Sequence, residues 1–329
     1  MDLIRTGTLT MPTTAPKTDA NYTQQFAALA PQLAGWSMPW VESLRRDAYA
    51  RLQKVGYPTA RTEDWRFTNI NPLIEKDYAL PTKADDARVD LPSLGFADSI
   101  AGSRLVFVNG LASQRLSKVA ALPKGVHVGT LSQAFANDGS SDAASVLEAH
   151  LGRYADSERL GFTAQNLAFF QDGALIVVPD HAVVKEPIHL VFANTANVAS
   201  SPRNLVVVGK NAQVTIVEWH LGSPGLTNFT NAVTEVVANE HSHVDHVKLQ
   251  RESMVAYHLA NMQVVLQAKK RISRRITSPS AARWSATKSA SASPANTRKR
   301  PSTVSTWARR SSISTTTRSS TMRCRTRKP

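Results

Sequence analysis

The apolar residues divide the chain into a short helical region and a longer β-rich region. Near the N-terminus, Ser37 and Pro39 predict the start of a helix, with Ser37 as its cap, and Gly56 predicts its end. Between them, apolar side chains recur at helical spacing at Val41, Leu44, Ala48, Leu52 and Val55. We therefore predict an N-terminal helical domain over residues 23–100, after a flexible leader over 1–22.

From residue 104 onward the pattern changes to short β-rich runs. These are Leu105–Val108, Leu175–Val178, Ile188–Phe192, Leu205–Val208, Val214–Val217, Val233–Val237 and Val244–Leu249. The links between the later runs are too short for crossover helices, which argues against a doubly wound α/β sheet after residue 170. The pattern leaves two architectures open, an antiparallel sandwich and a stacked β-solenoid.

One internal repeat bears on this choice. Residues 208–214 (VGKNAQV) align with residues 238–244 (ANEHSHV) at an offset of 30 residues, so similar turn chemistry precedes two strands. A solenoid produces such repetition because each coil packs on the next. Two copies alone do not decide between the architectures.

Charge and composition separate a basic tail from the body. Residues 268–329 contain 17 of the 39 Lys and Arg residues and none of the 25 Asp and Glu, which leaves 22 − 25 = −3 for residues 1–267. The tail also has 14 Ser and 10 Thr but no Leu, Phe or Tyr, so we predict that it is disordered. It is either a cationic arm that contacts nucleic acid nonspecifically or the product of a reading-frame shift. The change occurs inside an apparent strand pattern at residues 264–266, with no linker before it, which favours the shift.

Cysteine use and the N-terminus indicate the compartment. The first residues lack the apolar stretch of a secretory signal, and no apolar run reaches 18 residues, so we predict a cytoplasmic protein. Cys324, in the tail, is the only cysteine. The body therefore has no disulfide and offers no thiolate to a metal or a substrate.

A histidine cluster is the first candidate for chemistry. On a strand, His241 and His243 would share one face and could begin a metal site, while His246 would point to the other face. Spacing places no third ligand, and Asp245 would join only if the strand bends. A solvated turn and edge strand is the simpler interpretation.

Other acidic groups suggest weaker alternatives. Glu63 and Asp64 directly precede an aromatic residue, Trp65, but a capping or packing role with Trp65 as a buried anchor is favoured over acid–base work. A carbohydrate-active β-helix enzyme would need paired acids, and no spacing pairs the candidates Glu218, Glu235 and Asp245. Phosphate-binding and nucleophile-elbow motifs are absent from the sequence, so we assign no catalytic residue and predict a protein that is not an enzyme.

Several longer strings are informative together; they lie at residues 57–59, 63–68, 104–110, 166–173, 231–235 and 246–253. In this order they resemble the SufB/SufD family of the SUF iron–sulfur cluster assembly system, and SufD-type subunits more than SufB-type ones. The positions that carry the family motif are Glu63, Asp64, Trp65, Asn166, Phe169, Phe170, Gln171, Asp172, Gly173, Gln250, Arg251 and Glu252.

The resemblance implies both fold and function. It implies a mainly β protein with a right-handed parallel β-helix, here at residues 101–267, after the N-terminal helical domain. It also implies a non-catalytic scaffold that pairs with a SufB-like paralogue and a SufC-like ABC ATPase. No cofactor is expected on the chain alone, because an iron–sulfur cluster is held mainly by thiolates; the cluster is expected in the complex.

The tail departs from the family pattern. By resemblance, the last coils of the β-helix, the cluster-site histidine and the ATPase-docking helices should follow residue 265, so we expect a truncated, frame-shifted chain whose docking end is lost. The rival hypothesis is a nucleic-acid-binding protein that uses the tail. Deleting residues 268–329 would abolish salt-dependent binding in that case.

Overall fold

The structure, a computed structural model, describes residues 24–87, 89–136 and 142–267, and the backbone of 284–292, 304–307 and 320–323. The N-terminal part contains three helices, α1 (Phe26–Leu29), α2 (Pro39–Val55) and α3 (Asn71–Ile74), with 3-10 turns at Ala30–Gln32 and Glu63–Trp65. The predicted leader over 1–22 lies outside the described residues.

Helix α2 follows the apolar pattern that predicted it. Val41, Ala48 and Leu52 are buried, and the helix ends at Gly56, whose φ of 64° is readily available to glycine. The N-terminal cap is Met38, and no side chain caps the helix, so the prediction of Ser37 as the cap was wrong. Proline at the first helical position, which needs no N–H partner, begins the helix instead.

The body consists of two sheets. The first has the strand order β2-β1-β5-β8-β10-β14, and the second has the order β3-β4-β7-β9-β11-β12-β13, with β6 paired to β9. The strands are β1 (Ser103–Val108), β2 (Leu111–Lys118), β3 (His127–Thr130), β4 (Ala174–Val178), β5 (Ile188–Asn194), β6 (Ala199–Ser200), β7 (Arg203–Val208), β8 (Gln213–Gly222), β9 (Phe229–Asn239), β10 (His243–Arg251), β11 (Tyr257–Gln267), β12 (Trp284–Ala292), β13 (Val304–Trp307) and β14 (Ser320–Arg323). All seven β-rich runs predicted from the sequence lie within these strands.

The pairing within each sheet identifies a β-solenoid. The strands β4, β7, β9 and β11 of the second sheet, and β5, β8 and β10 of the first, are parallel, with partners about one coil apart: Leu175 pairs with Leu205, and Ile188 pairs with Ile216. Each coil therefore contributes one strand to each sheet and stacks on its neighbour. Parallel pairing excludes the antiparallel sandwich and confirms the mainly β solenoid that the resemblance implied.

The 30-residue repeat reflects the stacking of coils. Val208 pairs with Ala238 and Val214 with Val244, so both ends of the repeated segment keep the offset of 30. Three turns stack in the same way, because His181, Asn211 and His241 all have positive φ, at 65°, 54° and 58°. The backbone N–H of His181 donates to the carbonyl of Lys210 in the next coil, and Asn211 repeats this bond to Glu240.

Three helices interrupt the β region, which the sequence analysis did not predict. Helices α4 (Leu131–Ala136), α5 (Asp142–His150) and α6 (Gly161–Phe169) lie between β3 and β4. Every residue of α6 is buried, and α6 packs against α2 on one side and β9 on the other. A helix buried all round carries no amphipathic pattern, which is why helical periodicity did not reveal it.

The described part of the basic tail is limited to backbone. Strand β12 lies parallel to β11, with Tyr257 opposite Trp284, and β13 and β14 pair in antiparallel fashion with β12 and β10. The rest of residues 268–329, and with it most of the tail predicted to be disordered, lies outside the described residues. Among the residues that are described, no helix has the length and apolar character needed to span a membrane.

Candidate functional site

The interior of the solenoid changes character from one coil to the next. Along the first sheet, inward-facing residues stack in register, and Leu190 pairs with Glu218, which pairs with Lys248. In the adjacent stack Phe192 pairs with His220, which pairs with Gln250. Two interior positions that are apolar on β5 are thus polar on β8 and β10. With Glu252, which follows β10, and His258 on β11, the polar side chains of β8 and β10 form a buried polar cluster, defined as Glu218, His220, His246, Lys248, Gln250, Glu252 and His258.

Glu218 is the centre of one half of this polar cluster. Its Oε1 lies 2.7 Å from Nε2 of His220, and its Oε2 lies 2.9 Å from Nε2 of His246. Nζ of Lys248 is 4.0 Å from Oε1 of the same carboxylate. One buried carboxylate therefore holds two imidazoles on different coils and faces an ammonium.

Glu252 is the centre of the other half. Oε1 accepts a hydrogen bond from Oγ1 of Thr230 at 2.8 Å, and Oε2 accepts one from Nε2 of Gln250 at 2.8 Å. Nδ1 of His258 lies 2.8 Å from Oε2, and Nε2 of His258 lies 2.9 Å from Nζ of Lys248. Lys248 therefore links the Glu252 half of the cluster to the Glu218 half.

Burial and charge set the protonation states. Burial lowers the pKa of His220 and, together with the charge of Lys248, lowers the pKa of His258 to about 4, so both imidazoles are neutral at pH 7. Burial alone would raise the pKa of Glu252, but the neighbouring His258, with His220 and Thr230, lowers it to about 2. Against its burial, Lys248 and two imidazole hydrogen bonds hold the pKa of Glu218 well below its usual range.

Three members of the cluster have the composition of a metal site. One ligand atom from each of His220, Glu252 and His258 can be chosen so that all three lie within 4.8 Å of one another, and the three residues are buried. Nδ1 of His220 makes no hydrogen bond, whereas Nδ1 of His258 faces Oε2 of Glu252. Among the described residues this is the one group of three such side chains.

The histidines singled out from the sequence lie elsewhere. His241 is exposed in a turn, and His243 is half-buried on β10, where its Nε2 lies 3.2 Å from Oδ2 of Asp245. The expectation that Asp245 would need a bent strand was wrong, because alternate residues of a strand share a face. His246 points to the opposite face as predicted, into the polar cluster. A metal site at His241 and His243 stays a prediction.

The first group of family-motif positions packs the N-terminal region. Glu63 and Asp64 are exposed, whereas Trp65 is half-buried and its ring lies 5.5 Å from that of Phe162. Trp65 therefore packs against α6 but is not fully buried.

The second group joins the solenoid to the helices. The side-chain amide of Asn166 donates to the carbonyls of Pro202 and Asn231. The amide of Gln171 donates to the carbonyls of Pro81 and Asn109. Asp172 accepts a hydrogen bond from the backbone N–H of Ser132 at the start of α4. Phe169 and Phe170 are buried in neighbouring hydrophobic clusters.

Gly173 belongs to the same group. A Cβ at this residue would lie 1.7 Å from the carbonyl oxygen of Arg203, so only glycine fits there.

The third group lies at the end of β10. Gln250 and Glu252 belong to the polar cluster, while Arg251 is exposed and donates to the carbonyl of Gly95 at 3.3 Å. Two of the twelve motif positions therefore reach the candidate site.

The three acids considered for carbohydrate chemistry lie in different surroundings. Glu218 is inside the solenoid, and Asp245 is partly exposed beside His243. Glu235 accepts hydrogen bonds from the backbone N–H groups of Gly152, Tyr154 and Ala155 and forms a fully buried ion pair with Arg203 at 2.9 Å. This arrangement fixes the loop after α5 to β9, which is a structural role.

Comparison with known proteins decides the family. Residues 16–190 match the N-terminal region of SufBD proteins, and residues 191–290 match the SufBD core domain of SUF-system Fe–S cluster assembly. The chain belongs to the SufBD family. A Synechocystis protein described as an iron–sulfur cluster assembly SufBD family protein is 30% identical over 233 residues, which are 67% of this chain and 49% of that protein. The chain thus spans about half the length of this relative.

The SufBD core domain contains every residue of the polar cluster. Sequence reasoning missed His220 and His258 because each stands alone in its own run, and spacing along one strand does not bring the two imidazoles together. The 30-residue offset held the usable signal, since it places Glu218 beside Lys248 and His220 beside Gln250. If the 30-residue offset is applied to every strand and not only to one turn, it indicates that polar residues stack inside the solenoid.

Proposed function

We propose that this SufBD-family chain is a non-catalytic, SufD-type scaffold subunit that works with a SufB-type paralogue and a SufC-type ABC ATPase in iron–sulfur cluster assembly. The family match over residues 16–290 supports the assembly function. The observation that carries the scaffold role is that residues 1–323 contain no cysteine. Since clusters are held mainly by thiolates, a partner must supply most of the ligands.

The shape of the solenoid supports a role as a binding surface that partner subunits complete. Each coil contacts only its neighbours, so the sheets of the solenoid offer long faces for a second solenoid of the same family. The resemblance that favoured SufD over SufB supports the pairing with a SufB-type chain, and the proposal places the protein in the cytoplasm with that assembly machinery.

Co-purification tests this proposal. The tagged chain is co-expressed with SufB-type and SufC-type subunits, and complex formation, iron content and visible absorbance of the cluster are measured under anaerobic conditions. We expect one complex that contains all three subunits and a cluster that is absent from the isolated chain. A stable cluster on the isolated chain would overturn the scaffold role, and failure to co-elute would overturn the pairing.

For the tail, we propose that a reading-frame shift produced the sequence that begins near residue 268. The support is the sharp change in composition directly after β11, since residues 268–329 contain 17 Lys and Arg and no Asp or Glu. The core-domain match nevertheless continues to residue 290, which a complete change of frame at 268 does not explain. Translating all frames of the gene around codons 260–295 tests the idea: another frame should restore acidic residues and alternating apolar strands.

A further inference from the structure

We infer that His220, Glu252 and His258 form a binding site for one divalent first-row transition-metal ion inside the solenoid. The site requires no cysteine and lies entirely within the described residues. It is independent of the proposed pairing with other subunits, because all three ligands come from this chain.

The distances suit such an ion after a small adjustment. Nitrogen and oxygen ligands lie about 2.0–2.2 Å from a tetrahedral Zn²⁺, which places them about 3.4 Å from one another. Here one ligand atom from each residue can be chosen so that all three lie within 4.8 Å of one another, while Nδ1 of His258 is 2.8 Å from Oε2 of Glu252. Forming the site therefore requires this closest pair to separate slightly and the more distant atoms to approach by side-chain rotation.

Each ligand is oriented by a partner of its own. Nε2 of His220 donates to the ionised Glu218 at 2.7 Å, which leaves the lone pair on Nδ1 for a metal. Lys248 positions His258 through Nε2 at 2.9 Å, and Thr230 and Gln250 fix the two oxygens of Glu252. Metal-binding histidines and carboxylates commonly have such supporting hydrogen bonds, which fix tautomer and orientation.

An unpaired nitrogen points to a ligand. Nδ1 of His220 is buried and makes no hydrogen bond, although Nε2 of the same ring is paired with Glu218. Leaving a buried polar atom unpaired is destabilising, so a network that serves only stability should pair it. A metal ion satisfies Nδ1 of His220 and replaces the proton on Nδ1 of His258; on binding, that proton moves to Nε2 and one proton leaves the Lys248–His258 pair.

The donor set indicates the kind of ion. Two imidazole nitrogens and one carboxylate oxygen suit Zn²⁺, Co²⁺ or Fe²⁺, whereas Mg²⁺ prefers oxygen ligands and keeps its waters. Three protein ligands also leave at least one coordination position open for water or another small ligand.

Metal titration of the full-length chain tests the site. Cys324→Ser serves as the background in every sample, so that no thiolate contributes to the spectra. The protein is treated with a chelator, and Zn²⁺, Co²⁺ and Mg²⁺ are titrated separately while calorimetry and the visible spectrum of Co²⁺ are recorded. We expect one Zn²⁺ or Co²⁺ per chain and no Mg²⁺ binding at matched concentrations.

Matched variants separate this site from a surface site. His220→Gln and Glu252→Gln should each weaken Co²⁺ binding at least about 100-fold, since loss of a ligand exceeds the 10–100-fold effect of losing a supporting group. His243→Gln, which alters the half-buried histidine on β10, should leave the affinity within about threefold. The inference is overturned if the wild type binds no metal, if the two interior variants bind as well as the wild type, or if His243→Gln alone abolishes binding.

If circular dichroism shows that the interior variants do not fold, a second measurement still tests the site. X-ray absorption of Zn²⁺ bound to the Cys324→Ser protein reports the ligands directly. Two imidazoles with oxygen ligands support the site. A shell with fewer than two imidazoles contradicts it.

Discussion

Two coils of the same solenoid have nearly the same backbone and opposite interiors. Residues 188, 190 and 192 on β5 are Ile, Leu and Phe, and they belong to a hydrophobic cluster. Their register partners on β8 are Ile216, Glu218 and His220, so two of the three positions become polar one coil later. Main-chain hydrogen bonds between parallel strands hold both coils, and these do not depend on the side chains. The fold therefore tolerates a polar interior where the side chains satisfy one another.

Glu218→Leu should have the largest effect, because it gives β8 the residue that β5 already has at the paired position. The substitution leaves His220, His246 and Lys248 without their shared carboxylate. We expect a loss of about 3–5 kcal/mol in the free energy of unfolding, the range for a buried ion pair broken on one side. Denaturant unfolding measures it.

The double variant Glu218→Leu/Lys248→Met is the control for this prediction. Replacing both charged partners with apolar side chains should recover much of the loss. A Glu218→Leu protein as stable as the wild type would show that the polar cluster is not a coupled network.

Leu190→Ala tests the apolar coil at the matching position. Removing a fully buried leucine side chain leaves a cavity and should cost about 2–5 kcal/mol, without any rescue by a second substitution in the polar cluster. Val183→Ala, at a side chain that is 43% exposed, is the matched control and should change stability by less than about 0.5 kcal/mol. Equal effects of the two substitutions, measured by denaturant unfolding, would argue against a packed apolar coil.

Asn211→Ala should have the smallest effect on stability, and it tests the stacked turn with positive φ that the coils share. Asn211 has φ of 54° in the stacked turn, a conformation that costs alanine about 1 kcal/mol more than asparagine or glycine. Lys210→Ala, at the exposed neighbouring residue, should change stability by less than about 0.5 kcal/mol. If thermal unfolding shows no difference between the two variants, the turn is not strained at this residue.

Much of the fold was predictable because it rests on local pattern. The runs Val214–Val217 and Val244–Leu249 are apolar and β-branched, and both became strands. Helix α2 was predicted because its buried face recurs every three to four residues. Helix α6 was not, since it is buried on all sides and its sequence has no polar face to set the period.

The candidate site was less predictable, since its residues come from separate coils. His220 and His258 are 38 residues apart (258 − 220 = 38), yet their rings lie 4.5 Å apart between centroids. The motif positions Gln250 and Glu252 were identified by resemblance, without the partners that surround them. Spacing along one strand favoured His241 and His243 because it cannot place ligands from β8 and β11 together.

The sequence by itself determined the strands, the repeat of 30 residues, the single cysteine and the family, because each of these depends on residue order or composition. Family resemblance implied parallel coils, but only the tertiary structure decided their register and that Glu218, His220, Glu252 and His258 meet inside. The reason is geometric: parallel register brings side chains together across a whole coil of chain, and which polar groups become partners depends on that register.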